Sequence, residues 1–219
     1  MSTRSWRSPA HFVFDMDGVL IDSEPVKQAA FEEAVADVCK PDAARSKAVA
    51  AYNAANRGVP RDQKIAHVLR EILGMEPDLL PAVAASYADK LAVRLPFCAP
   101  VCGVGGFLSA VDARLHVASS APVAEIRANL ERHDLLHHFS SVSGHPIPKT
   151  RFLVDLRRSH PSAQVVFFGD APADLEAANR AGVAFVAVNP NDELLPLVSR
   201  WVPDFEDVAR VLDLVRTAD

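Results

Sequence analysis

The stretch from His11 to Glu24, HFVFDMDGVLIDSE, constrains this chain more than any other, because an apolar run stops abruptly at two carboxylates. Residues 12–14 predict a buried strand, and Gly18 lets the chain turn sharply just beyond it. Asp15 and Asp17 therefore follow the end of a strand, which is the usual place for a site in an open α/β sheet.

The two carboxylates are separated by a single residue, and they repel each other unless a cation or a shared proton relieves the repulsion. Their side chains face opposite sides if the strand continues, so a turn at Gly18 must bring Asp17 back toward Asp15. Hard cations take carboxylate and carbonyl oxygens as ligands. The stretch therefore predicts a Mg²⁺ site.

The composition sets the size and the class of the protein. A chain of 219 residues, 49 % of them hydrophobic, builds one sizeable core, or one core and a small appendage. A formal net charge of -5 and scattered Lys and Arg residues predict no binding to nucleic acid. No stretch is long and apolar enough to predict a membrane span.

The compartment is predicted from the amino-terminal residues and the cysteines. Arg4 and Arg7 precede an apolar run that Asp15 and Asp17 interrupt, which argues against a secretory signal. An odd number of cysteines is typical of a reducing compartment, so we expect a cytoplasmic protein. The three are Cys39, Cys98 and Cys102.

Ala-rich sequence with helical periodicity follows the first strand. It predicts four helices with no strand among them, over residues 26–38, 43–56, 61–73 and 79–94. We therefore expect an inserted helical unit over residues 25–97. Residues 1–24 and 98–219 are then expected to form the main domain around it.

After the insertion, apolar strands alternate with helices. Strands are predicted over residues 115–118, 139–143, 165–168 and 184–188, with an edge strand over 201–205. Helices are predicted over residues 103–113, 151–158 and 206–215. One further helix is predicted to begin at residue 122, and another to end at residue 182. This alternation predicts an α/β fold with a Rossmann-like parallel sheet covered on both faces.

Parallel strands present their carboxyl ends at one edge of the sheet, so Asp15, Ser119 and Asp170 are expected to converge there. Asp170 ends a strand as Asp15 does and is the expected third oxygen donor for the cation. Asp174 falls in the first turn of the next helix, where capping and a supporting role at the metal are equally open. The compact ammonium of Lys149, at a helix start, suits an anionic phosphoryl group.

Four segments resemble motifs of the haloacid dehalogenase-like superfamily of phosphohydrolases. The first motif reads Asp15, Asp17, Gly18, Val19, Leu20, Asp22 and Ser23. Ser119 resembles the second motif, with Ser120 as an alternative, and GDAPADLEAA over residues 169–178 resembles the fourth. Lys149 resembles the third motif, although Pro-Lys-Thr replaces the usual Lys-Pro.

The resemblance implies a Mg²⁺-dependent phosphatase that acts on a small phosphorylated metabolite. Asp15 would be the nucleophile that forms an aspartyl-phosphate, and Asp17 the general acid and base. Mg²⁺ would be held by Asp15, Asp170 and the backbone carbonyl of Asp17. The phosphoryl oxygens would be held by Ser119 and Lys149.

Other functions and residues stay open at this point. A sugar phosphomutase shares this core, and a non-catalytic phospho-accepting module gathers similar residues, although Asp17 argues against a dehalogenase. The inserted unit resembles the superfamily's small helical cap, in which Arg57, Arg61 and Lys64 are candidates for substrate selection or a solvated face. The sequence does not indicate the substrate or the oligomeric state.

Two other groups are predicted to be structural. The histidines near residue 135 are expected to be solvated residues at a helix end rather than metal ligands, and they are His133, His137 and His138. Cys98 and Cys102 are expected to be small thiols, because no third sulfur or histidine lies near them in sequence.

Overall fold

The computed structural model of this protein describes residues 10–217. Arg4 and Arg7, on which the expected absence of a secretory signal partly depends, lie outside the described residues. The chain divides into two compact units. Residues 10–22 and 100–217 form a sheet unit, and residues 23–99 form a helical unit.

The sheet unit is built on six parallel strands in the order β3-β2-β1-β4-β5-β6. They are β1 (Ala10–Phe14), β2 (Arg114–Pro122), β3 (Phe139–His145), β4 (Gln164–Gly169), β5 (Ala184–Val188) and β6 (Trp201–Val202). The predicted Rossmann-like parallel sheet is confirmed. Because β1 and β4 are neighbours at the centre of the sheet, the residues after them leave the same edge side by side.

The helical unit contains α1 (Glu24–Cys39), α2 (Ala43–Ala55), α3 (Arg61–His67) and α4 (Leu80–Arg94). Lys40, in the left-handed region at φ 49°, ends α1, and Pro41 prevents its continuation. Asp42 caps α2 by accepting the N–H of Arg45 at 2.8 Å. The predicted helix over residues 61–73 is α-helical only to His67, and a π-helical turn, Val68–Leu73, completes it.

Helices on both faces cover the sheet. They are α5 (Val104–Ala110), α6 (Val123–Arg132), α7 (Lys149–Ser159), α8 (Pro172–Ala181) and α9 (Val208–Arg216). Successive residues of β1 pack on opposite faces, which explains why the strand is apolar throughout. Phe14 stacks on Phe168 at 4.8 Å between ring centroids, whereas Val13 belongs to the cluster around Phe167 and Leu153.

Three predicted boundaries differ from the observed ones. Strand β2 continues to Pro122, so Ser119 and Ser120 lie within it, where its register with β3 is irregular. Strand β6 stops after two residues, because Pro203 has no N–H for the ladder. Helix α5 is shorter than predicted, and its two glycines, Gly105 and Gly106, are poor helix formers.

Over residues 10–217, no helix combines the length and the apolar character needed to cross a bilayer.

Candidate active site

Three carboxylates meet at the carboxyl edge of the sheet. Asp15 follows β1, Asp170 follows β4, and Asp174 lies in the first turn of α8. One oxygen from each carboxylate lies within 4.8 Å of the other two, and all three residues are buried. The convergence follows from the strand order, which places the ends of β1 and β4 next to each other.

The loop after β1 is a compact turn held by its own backbone. The N–H groups of Leu20 and Ile21 donate to the carbonyl of Met16 at 2.9 and 3.0 Å. Gly18 adopts φ 75°, a conformation that glycine reaches without a steric penalty. This turn keeps Asp17 nearly buried, but its carboxylate is not one of the three that cluster.

Lys149 supplies the positive charge of the site. Its Nζ lies 2.9 Å from Asp15 Oδ2 and 2.5 Å from Asp174 Oδ1, and the side chain is buried. The Pro-Lys-Thr order therefore does not direct the lysine away from the carboxylates. Burial alone would lower the pKa of Lys149, but the charges of Asp15 and Asp174 raise it above its usual value. The side chain is accordingly an ammonium at neutral pH.

Asp15 lies in an environment that opposes its ionisation. Its pKa is raised to about 7: burial raises it most, the Lys149 ammonium acts in the opposite direction, and the charges of Asp174 and Asp17 add to the rise. Within residues 10–217, Asp15 Oδ1 is buried and has no hydrogen-bond partner. An additional cation beside this oxygen would both satisfy it and favour the ionised carboxylate.

Asp174 performs a capping role and an anchoring role. Its Oδ2 accepts the N–H groups of Asp170 and Ala171 at 3.3 Å, which caps the start of α8. Its Oδ1 accepts from Lys149, so both of its oxygens are engaged within the protein. Asp174 thus caps α8 and positions Lys149, and its supporting role at a metal stays a prediction.

The backbone at Gly169 makes room for this carboxylate. A Cβ atom at Gly169 would lie 2.4 Å from the Cβ of Asp174 and 2.8 Å from its Oδ2. Real Cβ atoms do not approach other atoms so closely. The glycine of the fourth motif is therefore a packing requirement of the Asp174 side chain.

Ser119 is fully buried, and its Oγ accepts the N–H of Ala121 at 3.1 Å. This bond leaves the hydroxyl proton available for donation. Ser120, the alternative, is half-buried. The choice of Ser119 as the phosphate-binding serine stays a prediction.

The basic residues of the helical unit have partners within that unit. Arg57 Nε donates to Glu24 Oε2 at 2.9 Å, and the Arg61 guanidinium lies 5.3 Å from the centroid of the Tyr87 ring. They are therefore not simply a solvated face.

Lys64 is the most enclosed of these basic residues. Its Nζ donates to Asn53 Oδ1 at 2.5 Å and lies over the Phe31 ring, and burial lowers its pKa to about 8. The sequence analysis missed Asn53, whose only sequence signal is a polar residue within an Ala-rich helix. The amide also donates to Glu32 at 3.2 Å, so it links α1, α2 and α3.

The remaining sequence candidates lie elsewhere. His133 is half-buried, with Nε2 enclosed, so the prediction that it is solvated is wrong, whereas His137 is exposed. His133 follows Arg132 directly at the end of α6. Cys98 is buried, whereas Cys102 is exposed and its thiol donates a hydrogen bond to Glu206 at 3.0 Å.

Sequence comparison places the chain in a family. The profile of the haloacid dehalogenase-like hydrolases matches residues 12–188. A phosphorylated carbohydrates phosphatase from Thermotoga maritima is 28 % identical over 181 residues, covering 78 % of this chain and 81 % of the relative. A phosphoglycolate phosphatase from Shigella boydii is 28 % identical over 199 residues, covering 80 % of this chain and 79 % of the relative.

Solved structures share the fold. One from Haemophilus somnus, described as a predicted phosphoglycolate phosphatase, has a TM-score of 0.76 at 20 % identity, covering 93 % of this chain and 98 % of that chain. A candidate β-phosphoglucomutase from Thermotoga maritima has a TM-score of 0.64 at 25 % identity, covering 93 % and 98 %. The profile match spans most of the chain and includes all four segments on which the resemblance rests. The prediction from the sequence motifs is confirmed, and the chain belongs to the haloacid dehalogenase-like hydrolase family.

Proposed function

We propose that this hydrolase is a Mg²⁺-dependent phosphomonoesterase that forms an aspartyl-phosphate on Asp15. The observation that carries the proposal is the state of the Asp15 carboxylate. One of its oxygens lies 2.9 Å from the Lys149 ammonium, and the other is buried with no hydrogen-bond partner in the described part of the chain. A carboxylate held in this way has one oxygen fixed and one available.

The residues at the site fit a hard divalent cation. Three carboxylates and one ammonium leave a net charge of -2 when all are ionised. Asp15 and Asp170 would hold the ion, with the backbone carbonyl of Asp17 taken from the family resemblance. We propose that Asp174 supports the site rather than binding the ion directly, because Lys149 and two N–H groups already contact its oxygens. When bound, Mg²⁺ neutralises negative charge on the phosphoryl group during transfer.

The reaction then proceeds in two steps at the side chains. A carboxylate oxygen of Asp15 attacks phosphorus, the bond between phosphorus and the leaving oxygen breaks, and Asp17 protonates that oxygen. Asp17, now ionised, takes a proton from water as the water attacks the phosphorus of the intermediate. The bond between phosphorus and Asp15 breaks, and inorganic phosphate leaves.

Lys149 and Ser119 are proposed to hold the phosphoryl oxygens. The Lys149 ammonium is already fixed by two carboxylates, so it needs no reorientation when an anion arrives. The hydroxyl of Ser119, whose oxygen is oriented by the N–H of Ala121, supplies a second donor. Both groups are positioned before the substrate binds.

The proposed substrate is a small phosphorylated metabolite. The names of the two curated relatives specify phosphorylated carbohydrates and phosphoglycolate, which are compounds of this class. We propose that the helical unit acts as a cap and selects the substrate through Arg57, Arg61 and Lys64. We also propose a reducing, cytoplasmic compartment, because all three cysteines are free thiols.

Phosphate release from a panel of phosphomonoesters, with and without Mg²⁺, tests the proposal. We expect release that requires the metal and that falls by about a thousandfold or more in Asp15→Asn. Asp112→Asn makes the same change at an exposed position just before β2 and should leave the rate unchanged. Equal rates for wild type and Asp15→Asn, in protein that is folded by circular dichroism, would contradict the assignment of the nucleophile.

A sugar phosphomutase is the second candidate. The structural likeness to the candidate β-phosphoglucomutase, at 25 % identity, favours it. Product analysis separates the two enzymes, because a mutase converts a sugar phosphate to its isomer without net release of phosphate. A protein that is phosphorylated but turns over no substrate would instead be a phospho-accepting module.

A further inference from the structure

A cluster of imidazoles lies in the sheet unit, toward the amino ends of the strands. His11 belongs to β1, His116 to β2, and His160 follows α7. His11 Nδ1 lies 2.9 Å from His116 Nε2, and the His160 ring centroid lies 4.1 Å from that of His11. His11 precedes Asp15 by four residues, about 13 Å along a strand, so the cluster is separate from the catalytic edge.

Hydrogen bonds join this cluster across three strands. His116 uses Nε2 toward His11 and Nδ1 toward Ser141 Oγ, at 2.8 Å, which connects β1, β2 and β3. The contact between the two rings holds one proton, since one nitrogen must donate and the other accept. His11 is 1 % exposed and His116 6 % exposed, so water does not solvate them as it would in the unfolded chain.

An additional proton finds no favourable place in this arrangement. His11 Nε2 is buried and has no hydrogen-bond partner within residues 10–217. The groups whose charges act on His116 are His11 from β1, Arg114 from β2 and His160 after α7, and all three are basic. The neighbour from β3 is the neutral Ser141. A protonated ring here would be a buried cation near the Arg114 guanidinium and two further basic rings, which is costly.

We propose that this cluster, which the sequence analysis did not identify, makes the stability of the fold sensitive to acid. It links β1, β2, β3 and the end of α7 while the rings of His11 and His116 are neutral, and the fold becomes less stable in mildly acidic solution, where the unfolded chain takes up protons that the folded cluster does not accommodate.

The direction of the effect follows from the proton balance. Burial, with contributions from His11, His160 and Arg114, lowers the pKa of His116 to about 4, and burial likewise lowers the pKa of His11. In the unfolded chain an imidazole has a pKa of about 6.5. Between these values the unfolded chain binds more protons than the folded one, so stability falls as the pH falls from 6.5 toward 4. His116 alone is expected to raise the unfolding equilibrium constant roughly 20-fold between pH 7 and pH 5.

Denaturant unfolding of the full chain at a series of pH values between 7.5 and 5 tests the proposal. His116→Gln keeps hydrogen-bonding groups but cannot titrate. Between pH 7 and pH 5, the factor by which its unfolding equilibrium constant rises should therefore be roughly 20 times smaller than the factor for wild type. His137→Gln removes an exposed imidazole and should keep the wild-type pH dependence. A merely structural role would shift the stability of His116→Gln equally at every pH, and that result would overturn the proposal.

Histidine titration of the wild-type protein by NMR gives a second readout that does not depend on the folding of a variant. The imidazole assigned to His116 should stay neutral in the folded protein at pH 5, and the one assigned to His11 should titrate at a lower pH than an unperturbed imidazole. Titration of both near pH 6.5 would overturn the proposal.

Discussion

The ammonium of Lys149 lies between two carboxylates, 2.9 Å from Asp15 Oδ2 and 2.5 Å from Asp174 Oδ1. The lysine begins α7, whereas Asp15 follows β1 and Asp174 lies in α8. One side chain thus links the proposed nucleophile to the residue that caps the neighbouring helix. Three elements that are distant in sequence are fixed relative to one another at the point where the phosphoryl group is expected.

The first prediction concerns the charge of Lys149. We expect Lys149→Gln to lower kcat/KM for phosphate release by about 100-fold to 1,000-fold, because a fixed cation facing the phosphoryl oxygens is lost. Lys149→Arg should not restore the rate, since a planar guanidinium does not fit the place of a compact ammonium between two carboxylates.

The same substitution should destabilise the fold. Removing the ammonium leaves Asp15 and Asp174 as buried acids without their partner, which costs about 3–5 kcal/mol in the free energy of unfolding. Lys47→Gln, the same change at an exposed position of α2, is the control for both measurements. If Lys149→Gln kept the wild-type kcat/KM, the result would contradict the proposed role of Lys149 in the mechanism.

The second prediction concerns Gly169. In Gly169→Ala the new methyl group would lie 2.4 Å from the Cβ of Asp174, so the helix start or the strand end must shift. We expect a loss of about 1–3 kcal/mol in the free energy of unfolding and a lower kcat, because Asp174 would no longer hold Lys149 in place.

Gly106→Ala is the matched control for this variant. Apart from the chain neighbours and backbone of its own helix, no atom of the described residues lies within 4 Å of a Cβ at Gly106, and alanine favours the helix by about 0.5–1 kcal/mol over glycine. Denaturant unfolding and phosphate release measured on both variants separate the two effects. Equal stability of Gly169→Ala and wild type would show that Asp174 does not require this close approach.

The third prediction concerns the basic residues of the helical unit. Arg61→Ala removes the guanidinium that lies over the Tyr87 ring, whereas Arg57→Ala leaves Glu24 without its ion pair. If Arg61 selects the substrate, kcat/KM should fall at least tenfold for some phosphomonoesters of the panel and stay unchanged for others.

Arg45→Ala, at an exposed position of α2, makes the same change away from these contacts. Its kcat/KM values should match those of wild type for every substrate. An unchanged profile for Arg61→Ala would instead assign Arg61 a structural role beside Tyr87.

The positions of the main site residues could be predicted from the sequence, because each follows a local pattern. An apolar run that stops at an acid marks the end of a buried strand, and this holds for Asp15 after β1 and for Asp170 after β4. Parallel strands share one carboxyl edge, so the convergence of these acids needs only the alternation of strands and helices. The family also follows from these residues, since its motifs are contiguous stretches.

Only the tertiary structure decided which side chains pair. The sequence suggested a phosphate-binding role for Lys149 and left Asp174 between two roles, but their ion pair depends on α7 and α8 starting beside each other. The bond between His11 and His116 likewise requires that β1 and β2 be neighbours in the order β3-β2-β1-β4-β5-β6. Hydrophobic periodicity determines which residues are buried along each element, but contacts between elements depend on packing, which no local pattern encodes.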